Sequence, residues 1–331
     1  MARGKLRESA AMQPDVSFVI AAYNAEATLE RAMRSALAQQ GVSVEVVVVD
    51  DCSADRTVEI ARAFTDEGIH VVALGRNRGP GGARNAGFSV ARGRWIAVLD
   101  ADDTVRPDRM ARMVARAEAA DAQIVVDNLD VIDDGDGSRR TMFDAASLGQ
   151  MEELSLADFI GANIMFEGTY SFGYMKPVFQ RDFIARHGLR YDEKLRIGED
   201  YIFFASALAN GARCAVEPRT GYEYRITQGS VSRVLELRHV EAMLAADAAF
   251  LRAHRLDASA LTAQKRRTRS LEEAAAFLAL VRHLKDRAPL KAAGAALRDP
   301  AALRHLKMPI AARLRRLSAA LQARGLQDQT G

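Results

Sequence analysis

"RWIAVLDADD", residues 94–103, runs five apolar residues, Trp95 to Leu99, straight into Asp100, Asp102 and Asp103. A short apolar run of this kind reads as a buried strand. Three acids so close together repel one another unless water or a cation meets them. The strand therefore ends either in a solvated turn or at a cation site. Similar runs stand on both sides: "VSFVIAAY" (16–23), "VEVVVVDD" (44–51), "IHVVAL" (69–74) and "AQIVV" (122–126). Between them lie helical patterns, with Leu29, Met33 and Leu37 on one face, then Val58, Ala61 and Phe64, then a helix over about 82–91. Near-continuous apolar strands alternating with helices predict an α/β protein with a parallel sheet. Ligands of such sheets gather at the carboxyl ends of the strands. That edge collects Asn24, Asp50, Asp51, Asp100, Asp102 and Asp103.

The chain has 331 residues, 49% hydrophobic and 27% charged, which fits a soluble globular protein of about two domains, or of one domain with extensions. Its net charge of +3 is unevenly spread: residues 281–331 carry +8 and the remainder −5. The two cysteines, Cys52 and Cys214, have no metal-ligand spacing and cannot form a disulfide framework, which points to a reducing, cytoplasmic setting. "MARGKLRESAAMQPD" contains no apolar signal core, and no uncharged apolar run is long enough to span a bilayer. The expected organisation is a flexible segment 1–14, a first half 15–135 that holds the alternating strands and helices, a less regular second half 136–235, and a helical basic region 236–331. The turn-rich "DDGDGSRR" (133–140) marks the internal boundary.

Side chains two apart on an extended segment share a face, so Asp100 and Asp102 can meet one ligand. A few hard oxygen ligands suit Mg²⁺ or Mn²⁺, which complete their shells with water and phosphate. The competing reading is a solvated loop leading into a helix at Pro107. "VDDCSADRT" places Asp50 and Asp51 at a second strand end, with Asp55 as an N-cap worth about 1 kcal/mol. "RNRGPGGARNAG" (76–87) is neither a Walker loop nor a dinucleotide fingerprint, because Arg84 stands where the last glycine should be. By itself it reads as a plain turn.

In their order and spacing, "VSFVIAAYNAEATLERAMRSALAQ", "VVVVDDCSADRT", "NRGPGGARNAG" and "WIAVLDADD" resemble the family 2 glycosyltransferases. The resemblance covers about 15–130, continues through "GLRYDEKLRIGEDYIFF" (188–204), and is nearest the bacterial exopolysaccharide branch with its succinoglycan-type glucosyltransferases. It implies a GT-A (Rossmann-like) α/β fold, with a mostly parallel sheet flanked by helices and a helical C-terminal extension. It also implies that Ala21, Ala22, Tyr23, Asn24 and Asp51 contact base and ribose, that Arg84 holds nucleotide and phosphate, and that Asp100 lies near ribose and metal. Asp102 becomes the metal ligand, and Asp200 the general base, with Glu199 as the alternative holder of that role. Tyr174 is a candidate for acceptor contact, and Arg225 and Ser230 for diphosphate.

The implied reaction is an inverting, Mn²⁺- or Mg²⁺-dependent sugar transfer. The donor is a UDP-sugar, UDP-glucose first among them, and the acceptor a saccharide or a polyprenyl-linked one. Without the resemblance, Glu199 and Asp200 read as acids complementing a helix dipole. A catalytically silent nucleotide-sugar-binding scaffold and a nucleotidyltransferase are the rival readings. No nucleic-acid-binding module is present. The stretch 309–324 places Ile310, Leu314, Leu317 and Leu321 on one stripe among arginines, which suits an anionic membrane surface or packing on protein, including a second copy. None of the six histidines, His187 included, clusters in a metal pattern.

Overall fold

The computed structural model describes residues 13–167, 171–226 and 235–306. The predicted strands appear as β1 (Val16–Ala22), β2 (Val44–Asp50), β3 (Ile69–Ala73) and β4 (Trp95–Asp100). Their apolar continuity reflects burial on both faces: α1 (Leu29–Leu37) and α2 (Thr57–Arg62) connect β1 to β2 to β3, and α3 (Gly79–Val90) leads into β4. These four strands lie parallel in the order β3-β2-β1-β4. Beyond β4 the sheet becomes mixed. A two-residue strand β5 (Thr104–Val105) and α4 (Arg109–Ala119) precede β6 (Ile124–Asp133), which outruns the expected 122–126.

The turn expected at 133–140 joins β6 to β7 (Arg139–Thr141), so the sheet continues across residue 135. Two short helices follow, α5 (Ala145–Gly149) and α6 (Leu156–Gly161). β8 (Val178–Gln180) slots antiparallel between β4 and β6. It is followed by α7 (Arg181–Arg186), α8 (Glu199–Ala209) and β9 (Cys214–Ile226), which runs parallel to β6 and antiparallel to β5.

Helix α3 begins at Gly79, three residues before the expected start. Pro80 suits a first helical turn, and the Asp51 carboxylate accepts the backbone N–H groups of Arg78 (2.6 Å) and Gly79 (2.8 Å). The glycine run is thus a helix N-terminus closed by an acid of the neighbouring strand end.

The Ala/Arg/Leu-rich region forms α9 (Leu237–Ala253), α10 (Ala258–Lys285) and α11 (Pro289–Arg298), followed by a 3-10 turn over 300–306. The pair α9–α10 locks onto the back of α8. Arg267 of α10 bonds Asp247 at 2.8 Å and the Asn163 carbonyl at 2.7 Å, and its guanidinium lies 3.4 Å from the ring centre of Tyr201. Among the described residues no helix is long and apolar enough to cross a membrane. The basic segment 309–331, on which the membrane and second-copy expectations rest, lies outside the described residues.

Packing of α3 on the sheet tests the architecture. An alanine Cβ at Gly87 would lie 2.3 Å from Val19 Cγ1 and 3.2 Å from Val49 Cγ2. In urea unfolding, Gly87→Ala is expected to cost about 1–3 kcal/mol, although the same change at an open helix position gains up to about 1 kcal/mol. Gly294→Ala on α11, where an added Cβ meets nothing within 4 Å, should be neutral or stabilising.

Candidate active site

The site forms where the carboxyl ends of β1, β2 and β4 meet the N-terminus of α8. Asp100 closes β4, and both of its oxygens are taken by cations. Oδ1 accepts from Arg84 Nη2 at 3.0 Å, and Oδ2 accepts from Lys176 Nζ at 2.5 Å. Burial alone would raise the Asp100 carboxyl, but Lys176 and Arg84 outweigh it and hold the group well below the usual carboxylate range.

Arg84 is itself buried. Its Nη1 donates to Glu199 Oε1 at 2.8 Å and to Asp200 Oδ1 at 2.7 Å, while its Nε is buried without an acceptor. One guanidinium therefore bridges the strand-end acid and both acids of the "ED" pair, across more than a hundred residues of sequence. Placed there, it meets three carboxylates and is shielded from solvent.

The turn after Asp100 is anchored from β9. Tyr222, fully buried, receives the Asp100 N–H at 3.1 Å and donates to Asp103 Oδ2 at 2.7 Å. The other Asp103 oxygen accepts the Arg225 N–H at 2.8 Å. Burial, with Asp100 and Asp102 alongside, pushes the Asp103 carboxyl well above its ordinary value. Asp102 lies between these anchors. Arg31 donates to its backbone carbonyl at 3.1 Å, but no described side chain pairs with its carboxylate. Burial and then the Asp100 charge raise that carboxyl too.

Glu199 and Asp200 open α8. Gly198 caps the helix at φ 89°, a left-handed conformation that favours glycine, and there it packs against Met243 of α9. The two acids differ in access. The side chain of Glu199 is 7% exposed and that of Asp200 is 39% exposed. Asp200 Oδ2 accepts no hydrogen bond from any described residue. Burial, and then the Asp200 charge, push the Glu199 carboxyl up to about 7 against the pull of Arg84.

The expected base and ribose residues line the same edge. Ala22 is buried, Ala21 partly so, and Tyr23 and Asn24 are exposed. Asn24 sits at φ 49° and ties β1 to the next loop: its N–H donates to Ser53 Oγ at 2.9 Å and its Oδ1 accepts from Ala54 at 2.9 Å. Asp51 is buried, and both its oxygens are committed to the start of α3. Asp55 accepts from the Thr57 N–H at 3.0 Å, at the start of α2. Tyr174 meets Tyr224 edge to face at 5.7 Å. The Arg225 side chain pairs with Asp134 at 2.6 Å. Ser230 lies outside the described residues.

The model of the family described as glycosyl transferase family 2 matches residues 17–183. The succinoglycan biosynthesis protein ExoO of Rhizobium meliloti (strain 1021) is 60% identical over 306 residues, covering 92% of this chain and 88% of ExoO. The chain belongs to glycosyl transferase family 2.

The succinoglycan biosynthesis protein ExoU of the same organism is 34% identical over 89% of this chain and 86% of its own. Two solved structures share the fold. S. aureus TarS 1–349 in complex with UDP-GlcNAc superposes with a TM-score of 0.59 at 21% identity, over 82% of this chain and 73% of that one. The mannosyltransferase PcManGT from Pyrobaculum calidifontis, in complex with GDP-Man and Mn²⁺, does so with a TM-score of 0.59 at 18% identity, over 94% and 81%. The fold of this family 2 glycosyltransferase is GT-A, with a helical C-terminal region.

Sequence reasoning did not single out Lys176 or Tyr222. Lys176 reaches Asp100 because β8 runs antiparallel to β4, which sets the residues just before β8 beside the end of β4. The one local signal was a lysine next to Pro177 in an aromatic, otherwise apolar stretch. Tyr222 stood in plain view in "YEYRITQG", but its partner lies 119 residues away.

The raised Glu199 carboxyl gives this glycosyltransferase a pH signature. A carboxyl that binds its proton more tightly in the folded than in the unfolded chain favours the fold at low pH. It loses that advantage as pH rises from its ordinary 4.5 to about 7. Glu199→Gln keeps an acceptor for Arg84 but cannot ionise. In urea unfolding at pH 5 and pH 8, the variant should gain stability relative to wild type at the higher pH. An equal difference at both pH values would show that Glu199 is not strained there.

Proposed function

We propose that this glycosyltransferase moves a sugar from a UDP-sugar, UDP-glucose foremost, to a saccharide or polyprenyl-linked acceptor in the cytoplasm, inverting the anomeric carbon, during succinoglycan-type surface polysaccharide synthesis. The observation that carries it is the Arg84 bridge. Through that bridge the strand-end acid Asp100 and the helix-start acids Glu199 and Asp200 are held on one guanidinium. The polysaccharide is supported by the names of ExoO and ExoU, and the donor class by the UDP-GlcNAc complex of TarS. We assign donor binding to 15–135 and acceptor binding with the base to 136–235.

Transfer needs a proton acceptor for the attacking hydroxyl and compensation for charge on the departing diphosphate. Asp200 is the base in this reading, because Glu199 is buried against Arg84 while Asp200 keeps a free oxygen at the surface. The acceptor oxygen attacks the anomeric carbon and its proton passes to the Asp200 carboxylate. The bond from that carbon to the UDP oxygen breaks, and UDP leaves with the electron pair. Glu199 holds Arg84 in place. Tyr23, Asn24 and Ala21 offer the open edge for base and ribose.

The fit for Mn²⁺ or Mg²⁺ rests on Asp102. Its carboxylate has no partner among the described side chains, and it is raised by burial and by Asp100, so a cation there would meet an uncompensated charge. No cluster of three or more ligating His, Cys, Asp or Glu side chains exists among the described residues, so such an ion would depend on the substrate for most of its shell. When bound, it supplies positive charge to the leaving diphosphate.

Asp200→Asn should retain UDP-sugar binding while kcat falls by about 10²–10⁴-fold. Asp102→Ala should abolish the Mn²⁺ dependence of UDP binding measured by calorimetry. Undiminished transfer by Asp200→Asn would remove the base assignment, and unchanged metal dependence in Asp102→Ala would remove the metal assignment.

A further inference from the structure

Asp100 and Asp102 stand two residues apart at one strand end, which invites the reading that they share a cation. Their surroundings are unlike. Both Asp100 oxygens are already matched by full positive charges, from Arg84 at 3.0 Å and Lys176 at 2.5 Å, whereas Asp102 has no charged side chain on its carboxylate. Arg31 bonds the Asp102 backbone oxygen and the Asp134 carboxylate, not the Asp102 carboxylate.

Lys176 is built into this position. Its side chain is 12% exposed, and its backbone carbonyl accepts from Arg109 Nη2 at 2.7 Å. Arg109 is fully buried and paired through two bonds, at 2.8 and 2.9 Å, with the fully buried Asp127. Pro177 restricts the backbone on the other side, since the residue before a proline is held extended. The ammonium also lies 5.9 Å from the Tyr222 ring, whose hydroxyl anchors the turn that carries Asp102. A lysine held at both ends beneath a strand-end acid is a fixed charge, unlike a mobile surface group.

From this geometry we infer that Lys176 is the resident counter-ion of Asp100, reserving Asp102 as the protein's carboxylate for a divalent ion in the donor site. It is a positioning residue: it sets which acid is free without touching the reacting atoms. The inference rests on the donor-site reading above. With Asp100 neutralised from within, the strand end has no fully shared two-acid cage. Divalent-ion affinity is then low until a diphosphate adds its own oxygens.

The test reads Mn²⁺ binding to the full chain in the presence of UDP, by the loss of the free Mn²⁺ electron-paramagnetic signal. Lys176→Met and Lys176→Gln release Asp100 Oδ2 and should tighten Mn²⁺ binding on the order of tenfold, the scale at which partners of ligating groups act. Adding Asp100→Asn to either should reverse the gain, and Lys176→Arg should stay near wild type. Thermal unfolding of each variant verifies that it is folded. Unchanged or weaker Mn²⁺ binding in folded Lys176→Met and Lys176→Gln overturns the inference, because the lysine then serves the diphosphate or only the fold. If Asp102→Asn also fails to weaken Mn²⁺ binding, or wild type binds neither UDP nor Mn²⁺, the donor-site reading itself falls. Binding that Asp102→Asn weakens and loss of Lys176 does not tighten removes the Lys176 role alone.

Discussion

A buried arginine among three carboxylates is the constraint on which this site depends. Removing charges from water is costly, and the cost is met only when partners and geometry are nearly complete. Arg84 meets it by spending both terminal nitrogens on Asp100, Glu199 and Asp200. Those acids would repel one another without it. The same bridge explains why the end of β4 and the start of α8, far apart in sequence, take up one fixed separation. Here the guanidinium acts as a structural pivot between the end of β4 and the start of α8.

The remaining architecture holds that pivot. Gly81 and Gly82 at the start of α3 let the helix sit under the 191–193 loop, Gly87 further along lets it sit tightly on β1, and Asp51 closes its N-terminus, so Arg84 projects from a rigid turn and a half of helix. On the opposite side, α8 is gripped by Tyr201 against Arg267 and by Gly198 against Met243. The C-terminal helices therefore fix the helix that carries Glu199 and Asp200. Tyr222 does the same for the Asp100–Asp103 turn.

Much of this was legible in the chain. Valine- and isoleucine-rich runs ending in acids announce buried parallel strands, and four ordered motifs specify the family. The acids at 100 and 102 stand out locally at a strand end, whereas Glu199 and Asp200 read locally only as acids at a helix start and gain their candidate role from the family resemblance. What escaped depends on pairings that no local pattern encodes. Lys176 reaches Asp100 only through the antiparallel register of β8 on β4, a three-residue strand with no periodicity to reveal it. Tyr222 matters only because β9 folds back beside β5 and brings its hydroxyl under the turn. Asp51 shows the converse case. The residue was visible and its family role clear, yet both oxygens are engaged by the backbone of α3.

The most direct measurement on the central claim is the stability of Arg84→Met across pH. If one guanidinium neutralises the three acids, its loss should cost about 3–5 kcal/mol at pH 8, where they are ionised. That cost should shrink toward pH 5, where Glu199, raised to about 7, carries a proton and no longer adds a negative charge for the guanidinium to neutralise. A cost that is the same at both pH values, or smaller at pH 8, would contradict the account and leave Arg84 as a packing residue whose charge does not organise the site.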